Sequence, residues 1–135
     1  MTAVVLDTNI VLDLWVFDDA RTAGLRAALQ AGQVQWLATS AMRDELVRVL
    51  DYPQIVRSLQ HHGRAAAQVV AHFDALAQLQ PVPPKAPVTC KDPDDQKFID
   101  LAVATPGLLL SKDGAVLSMQ KRLAARGVVV SNVFP

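Results

Sequence analysis

An α/β fold, with a parallel sheet covered by helices on both faces, is predicted by two regularities of the chain. Short, almost unbroken apolar runs (Ala3 to Leu6, Val34 to Ala38, Leu108 to Leu110 and Val128 to Val130) read as strands buried on both sides. Longer stretches with helical periodicity separate them, the alternation from which βαβ units are built. A third observation concerns function. The first apolar run stops abruptly at Asp7-Thr8-Asn9, and in an open parallel sheet ligands sit just beyond the carboxyl ends of the strands.

Taken in order, Ile10, Val11, Leu12, Leu14 and Trp15 predict a helix directly after the first strand, capped by Thr8 or Asn9. Asp18-Asp19 breaks the chain, and a helix is expected over 20–31 with Leu25, Ala28 and Leu29 on one face and Gly32 as its stop. After the second strand, Thr39-Ser40 offers hydroxyl caps for a helix to about Leu50, ended by Tyr52-Pro53. A short helix from Pro53 to about Leu59 closes at His61-His62-Gly63. Arg64 to about Leu79 predicts an amphipathic helix with Ala66, Val69, Val70, Phe73, Leu76 and Ala77 on one face. Pro81, Pro83, Pro84 and Pro87 make the next stretch a surface loop, with room for a little edge strand near Val82. Helices over 93–104 and 114–125 flank the Leu108-Leu109-Leu110 strand, and Gly127 precedes the last one.

The chain has 135 residues, enough for one domain with a real core, so residues 1–135 are read as one. Thirteen basic and thirteen acidic side chains cancel, which excludes attraction to nucleic acid or membrane by net charge and leaves only local patches. The lone cysteine, Cys90, excludes an internal disulfide framework and a cysteine-rich zinc site. Asp7 and Asp13 interrupt an N-terminal segment that has no basic region, and no uncharged apolar run reaches the roughly 18 residues that span a bilayer. A soluble, cytoplasmic protein is expected.

The acids fall on this frame in a telling way. Asp7 ends the first strand and Asp113 stands just past the third apolar run, so both belong to the carboxyl edge of one sheet. Glu45 lies three residues after Met42 and four before Val49, at the margin of a core-facing stripe, whereas Asp44 and Arg48 fall on the outer side. A carboxylate there is costly unless it meets a cation, a donor or a metal. In Asp92-Pro93-Asp94-Asp95, Asp92 suits an N-cap and Pro93 the first helical position. Asp95 shares a face with Phe98, Ile99 and Ala102 and so turns towards the sheet; Asp100 falls on the opposite side and reads as solvated. Asp7, Glu45, Asp95 and Asp113 could therefore converge. Four such acids cannot all stay ionised in one pocket without a cation. Hard oxygen donors select Mg²⁺ or Mn²⁺, and the matching chemistry is metal-assisted phosphodiester hydrolysis.

Four segments carry a resemblance: Leu6-Asp7-Thr8-Asn9; Glu45 within Asp44 to Leu50; Asp92-Pro93-Asp94-Asp95-Gln96-Lys97-Phe98; and Ser111-Lys112-Asp113. In that order and spacing the chain resembles a PIN-domain ribonuclease, in particular the branch assigned to toxins of bacterial toxin–antitoxin modules. The resemblance implies a Rossmann-like α/β/α sandwich and an endoribonuclease dependent on Mg²⁺ or Mn²⁺. It implies that Asp7, Glu45, Asp95 and Asp113 form the acidic metal site, with Thr8, Asn9 and Ser111 as supporting polar residues. It also implies homodimers and an inhibiting antitoxin encoded alongside.

Lys97, Lys112 and Arg43, together with Lys91 and Arg48, could contact phosphates at the rim of such a site. Each taken alone reads as an ordinary surface charge rather than a phosphate contact. His61 and His62 read as helix-end residues. Cys90 lacks a base partner in the sequence, and Trp15, Trp36 and Phe73 read as core. Two alternatives stand beside the nuclease. One is a different Mg²⁺-dependent phosphoryl hydrolase using Asp7 as nucleophile, against which the missing second acid two residues on and the missing phosphate-cradling glycine loop both count. The other is a catalytically silent module that docks a partner and uses its acids as caps.

Overall fold

A computed structural model of the chain describes residues 2–135. Five strands form one sheet: β1 (Thr2–Leu6), β2 (Val34–Ala38), β3 (Ala77–Leu79), β4 (Leu108–Leu110) and β5 (Val129–Ser131). Their spatial order is β3-β2-β1-β4-β5 and every pairing is parallel. The helices are α1 (Thr8–Trp15), α2 (Ala23–Gln30), α3 (Ser40–Val49), α4 (Pro53–His61), α5 (Ala66–Leu76), α6 (Gln96–Ala104), α7 (Gly114–Leu117) and α8 (Gln120–Ala124). The chain starts at the centre, moves out to β3, then jumps back past β1 to β4 and on to β5. Parallel crossovers are right-handed, so reversing direction along the sheet moves the connecting helices to its other face. The result is the expected three-layer α/β/α arrangement.

The same reversal creates a crevice beyond the carboxyl ends of β1 and β4, the two strands that leave in opposite directions. Their register is Val4 with Leu108, Val5 with Leu109 and Leu6 with Leu110, all buried. The two strands draw close enough that a Cβ on Gly107 would lie 2.4 Å from the Ala3 carbonyl oxygen, which only glycine avoids. Beneath them Trp36, Phe98, Ile99 and Leu14 fill the core. Trp15, Trp36 and Phe73 are indeed interior and pack as aromatic neighbours, Trp15 on Trp36 at 5.6 Å and Trp36 on Phe73 at 5.0 Å. Among the described residues no helix is long and apolar enough to cross a membrane.

Several expectations are corrected. The helix that periodicity extends to Leu79 ends at Leu76, and Ala77–Leu79 is the edge strand β3, paired with Trp36, Leu37 and Ala38. Val82 carries no strand: it lies exposed between prolines that cannot donate to a ladder. The helix expected over 114–125 is two short ones, separated at Ser118-Met119, with Met119 turned fully into the core. The helix over 20–31 opens with a 3-10 turn at Ala20–Thr22. Asp7, not Thr8 or Asn9, is the cap of α1, accepting from the Asn9 N–H. Thr39 holds the cap position of α3 without a side-chain hydrogen bond. Asp100 is not solvated. It accepts from the Ala86 N–H at 2.8 Å and from Gln96 at 2.9 Å, while Gln96 also binds the Cys90 N–H and the Val88 carbonyl. These bonds pin the proline-rich loop against α6 along the approach to Asp92.

Candidate metal centre

A cleft of about 430 Å³ opens at the carboxyl edge of the sheet, lined by Asp7, Thr8, Asn9, Glu45, Arg48, Val49, Tyr52, Asp92, Asp94, Asp95 and Lys97. Asp7 reaches it because β1 ends there and α1 begins at once. Its N–H continues the ladder to the Leu110 carbonyl, and its side chain is 4% exposed. The Ser111 hydroxyl donates to Asp7 Oδ2 at 2.6 Å and accepts from the Asp113 N–H at 3.0 Å. One fully buried hydroxyl thus fixes the carboxylate at the end of β1 to the loop after β4. Asp113 caps α7 through the Ala115 N–H, which leaves its second oxygen free of that role.

Glu45 enters from α3. Thr8 Oγ1 donates to its Oε1 at 2.5 Å, and the Lys97 ammonium pairs with its Oε2. Asp95 enters from the 3-10 turn Pro93–Asp95 that leads into α6. It is 8% exposed, whereas the neighbouring Asp94 is exposed. Its Oδ2 is buried without a hydrogen-bond partner. Asp92 caps the turn, accepting from the Asp94 N–H at 3.0 Å. One carboxylate oxygen each from Asp92, Asp95 and Asp113 lie within 4.8 Å of one another.

The electrostatics follow from this crowding. Burial, reinforced by the Asp7, Asp113 and Asp92 carboxylates, pushes the Asp95 carboxyl up to about 7. Burial also raises Asp7, opposed by the hydrogen bonds from Ser111 and Asn9 and assisted by Asp113 and Glu45. The charges that would offset these acids are few, with Lys97 already committed to Glu45. A small divalent ion fits such a donor set: hard carboxylate oxygens, one of them orphaned, on a cleft open enough to leave room for water.

Other candidates are placed elsewhere. Arg43 does not line the cleft: its Nε and Nη2 grip the Asp74 carboxylate at 2.8 and 2.9 Å, clamping α3 to α5. Lys112 turns the other way, pairing with the buried Asp13 at 2.6 Å. Asp13, an acid with no evident role in the sequence, thereby ties α1 to the loop that carries Ser111 and Asp113. Nothing local announces that pair, because its two members come from opposite ends of the chain. His61 and His62 sit exposed at the end of α4, and His72 stacks on Trp15 at 5.0 Å. Burial pushes the Cys90 thiol up, away from the thiolate a nucleophile needs.

A parallel α/β sheet with a carboxylate-rich crevice at its switch point defines a class of α/β domain whose oxygen donors suit a divalent cation. The particular family is given by sequence comparison. The model of the PIN domain matches residues 3–113, and the chain belongs to the PIN-domain family. Domains of that family are generally metal-dependent nucleases. Neither a search of curated proteins nor a search of solved structures gave a significant match.

Proposed function

We propose that this chain is an endoribonuclease dependent on Mg²⁺ or Mn²⁺, acting at Asp7, Glu45 and Asp95, which line the cleft, together with Asp113 beside Asp95. The observation that carries the proposal is the buried Asp95 oxygen without a partner, set among the carboxylates of Asp7, Asp92 and Asp113. Burying that much negative charge is unfavourable for folding and is explained by a bound cation. When bound, the ion supplies Lewis acidity that activates water and offsets charge developing on the phosphate. The chain's own residues do the rest. Ser111 holds Asp7 in one rotamer, Thr8 and Lys97 hold Glu45, and the ordered loop before α6 presents Asp95. Lys97, which also holds Glu45, and Arg48 line the cleft and would meet phosphate oxygens of an RNA strand there.

A toxin role, with an antitoxin encoded alongside, a homodimeric assembly and a cytoplasmic location, belongs to the same proposal and rests on the resemblance of the four segments. The direct test is cleavage of a mixed single-stranded RNA pool with Mn²⁺, Mg²⁺ or EDTA, by the parent and by Asp7→Asn and Asp113→Asn. Cleavage that needs metal and is lost in both variants is expected. Metal binding without cleavage of any RNA would move the site to another phosphoryl substrate. For the toxin role, growth arrest on expression, relieved by co-expressing the product of the neighbouring reading frame, is the expected result.

A further inference from the structure

We propose that Asp92 is a direct ligand of the divalent cation, completing a three-carboxylate seat with Asp95 and Asp113, and that Glu45 serves this seat from outside it. The inference rests on the metal-dependent reading above and revises its ligand set, in which Asp92 had only the part of a helix cap. Three observations carry it.

The first is distance. Ligand oxygens around an octahedral Mg²⁺ are separated by about 3.0 Å when adjacent and about 4.2 Å when opposite, given bonds near 2.1 Å. One oxygen from each of Asp92, Asp95 and Asp113 already lie within 4.8 Å of one another, so closing on an ion takes only small shifts of the three side chains. The second is the orphaned oxygen of Asp95, buried within this group. The third is occupancy. Both oxygens of Glu45 are taken, one by Thr8 and one by Lys97, and an ammonium on the carboxylate would have to leave before a cation could bind there. Asp92 spends only Oδ1 on its cap. Its backbone is also held in advance, because the neighbouring loop is fastened to Gln96 at Cys90. Asp92 and Asp113 are half-buried and Asp95 is buried, so the seat is closed beneath and open to the cleft, as an ion that keeps several waters requires.

The test measures binding of Mn²⁺ alone by titration calorimetry, on the full chain. Asp92→Asn keeps the cap, since asparagine caps helices as well as aspartate does, and its melting temperature in EDTA should be no lower than that of the parent. Its Mn²⁺ affinity should fall more than about fivefold, the loss expected when one of a few carboxylate ligands is removed. A second variant, Asp92→Cys, should gain a thiolate-to-Cd²⁺ charge-transfer band in the ultraviolet, above the background set by the buried Cys90 of the parent, and Glu45→Cys should not. A smaller affinity loss in Asp92→Asn, or the band appearing in Glu45→Cys and not in Asp92→Cys, overturns the proposal. Asp95→Asn separates the two levels. If it abolishes Mn²⁺ binding while Asp92→Asn keeps it, only the role of Asp92 is lost. If the parent binds no Mn²⁺, the metal-dependent reading falls and takes this one with it.

Discussion

Replacing Asp95 by asparagine should stabilise the metal-free protein at alkaline pH, although it removes a residue of the proposed metal centre. The side chain is 8% exposed and faces Asp7, Asp113 and Asp92. In the folded chain its carboxyl is raised from 3.8 to about 7, so the folded state holds this proton more tightly than the unfolded state does. The associated stability is fully present below pH 3.8 and is lost as pH rises through about 7. At about 1.4 kcal/mol per pH unit, that interval corresponds to about 4 kcal/mol. The cleft admits water, which screens part of the repulsion, and about 2 kcal/mol is the working figure. The substitution sacrifices no cap, because the Asp95 side chain makes no capping hydrogen bond to α6. Urea unfolding in EDTA at pH 5.5 and pH 8 measures the effect. Because pH 5.5 already lies midway between 3.8 and about 7, about half of the working figure, about 1 kcal/mol, is lost between the two conditions. With a slope of about 2 kcal/mol per molar urea, the parent should therefore lose about 0.5 M more in midpoint than Asp95→Asn does. Adding Mn²⁺ at pH 8 should restore the parent and leave the variant unmoved, because a ligand of the folded state alone stabilises it by mass action. Parallel pH profiles for the two proteins, or a variant less stable than the parent at pH 8 in EDTA, would refute the reasoning.

The same proton should compete with the cation: with the Asp95 carboxyl near 7, Mn²⁺ affinity measured by calorimetry should fall about tenfold per pH unit below that value and level off above it. Ser111→Ala removes the hydroxyl shared by Asp7 and the Asp113 N–H, and should cost about 1–3 kcal/mol in urea unfolding. Ser111→Thr, which keeps the hydroxyl, should recover part of that loss. Lys112→Met strands the buried Asp13 and should cost about 1–3 kcal/mol; if Lys112 contacts phosphate instead, the variant will be stable and bind RNA more weakly.

Much of this was legible because the decisive signals are local. An apolar run ending in Asp7, the phase that turns Asp95 inward and Asp94 outward, and the cap chemistry of Asp92 each need only a few neighbouring residues. What stayed hidden depends on partners distant in sequence. Ala77–Leu79 continues the helical pattern of α5, and only pairing with Trp36 to Ala38 draws it into the sheet. Asp100 looks solvated by phase until the proline-rich loop folds back and its Ala86 N–H needs an acceptor. Arg43 and Lys112 stand near the acids in the sequence, but in the fold Asp74 and Asp13 claim them. Asp92 is the subtlest case. Its fitness as a cap is a complete local explanation, and nothing in the sequence says that Asp113 will arrive beside it.

The position of β1 has a consequence for how the protein comes into being. It is the first strand to leave the ribosome, yet it sits in the middle of the sheet, and one of its two edges stays open until Leu108–Leu110 has been made. Asp7 acquires the Ser111 hydroxyl from 104 positions downstream, and Asp113 arrives two residues after that. A nascent chain therefore carries the first carboxylate of the cleft while more than 100 further residues are made, without being able to assemble the rest. Closing so long a loop is also slow relative to local folding. For the endoribonuclease proposed above, translation itself would keep the unfinished molecule inert beside the message that encodes it.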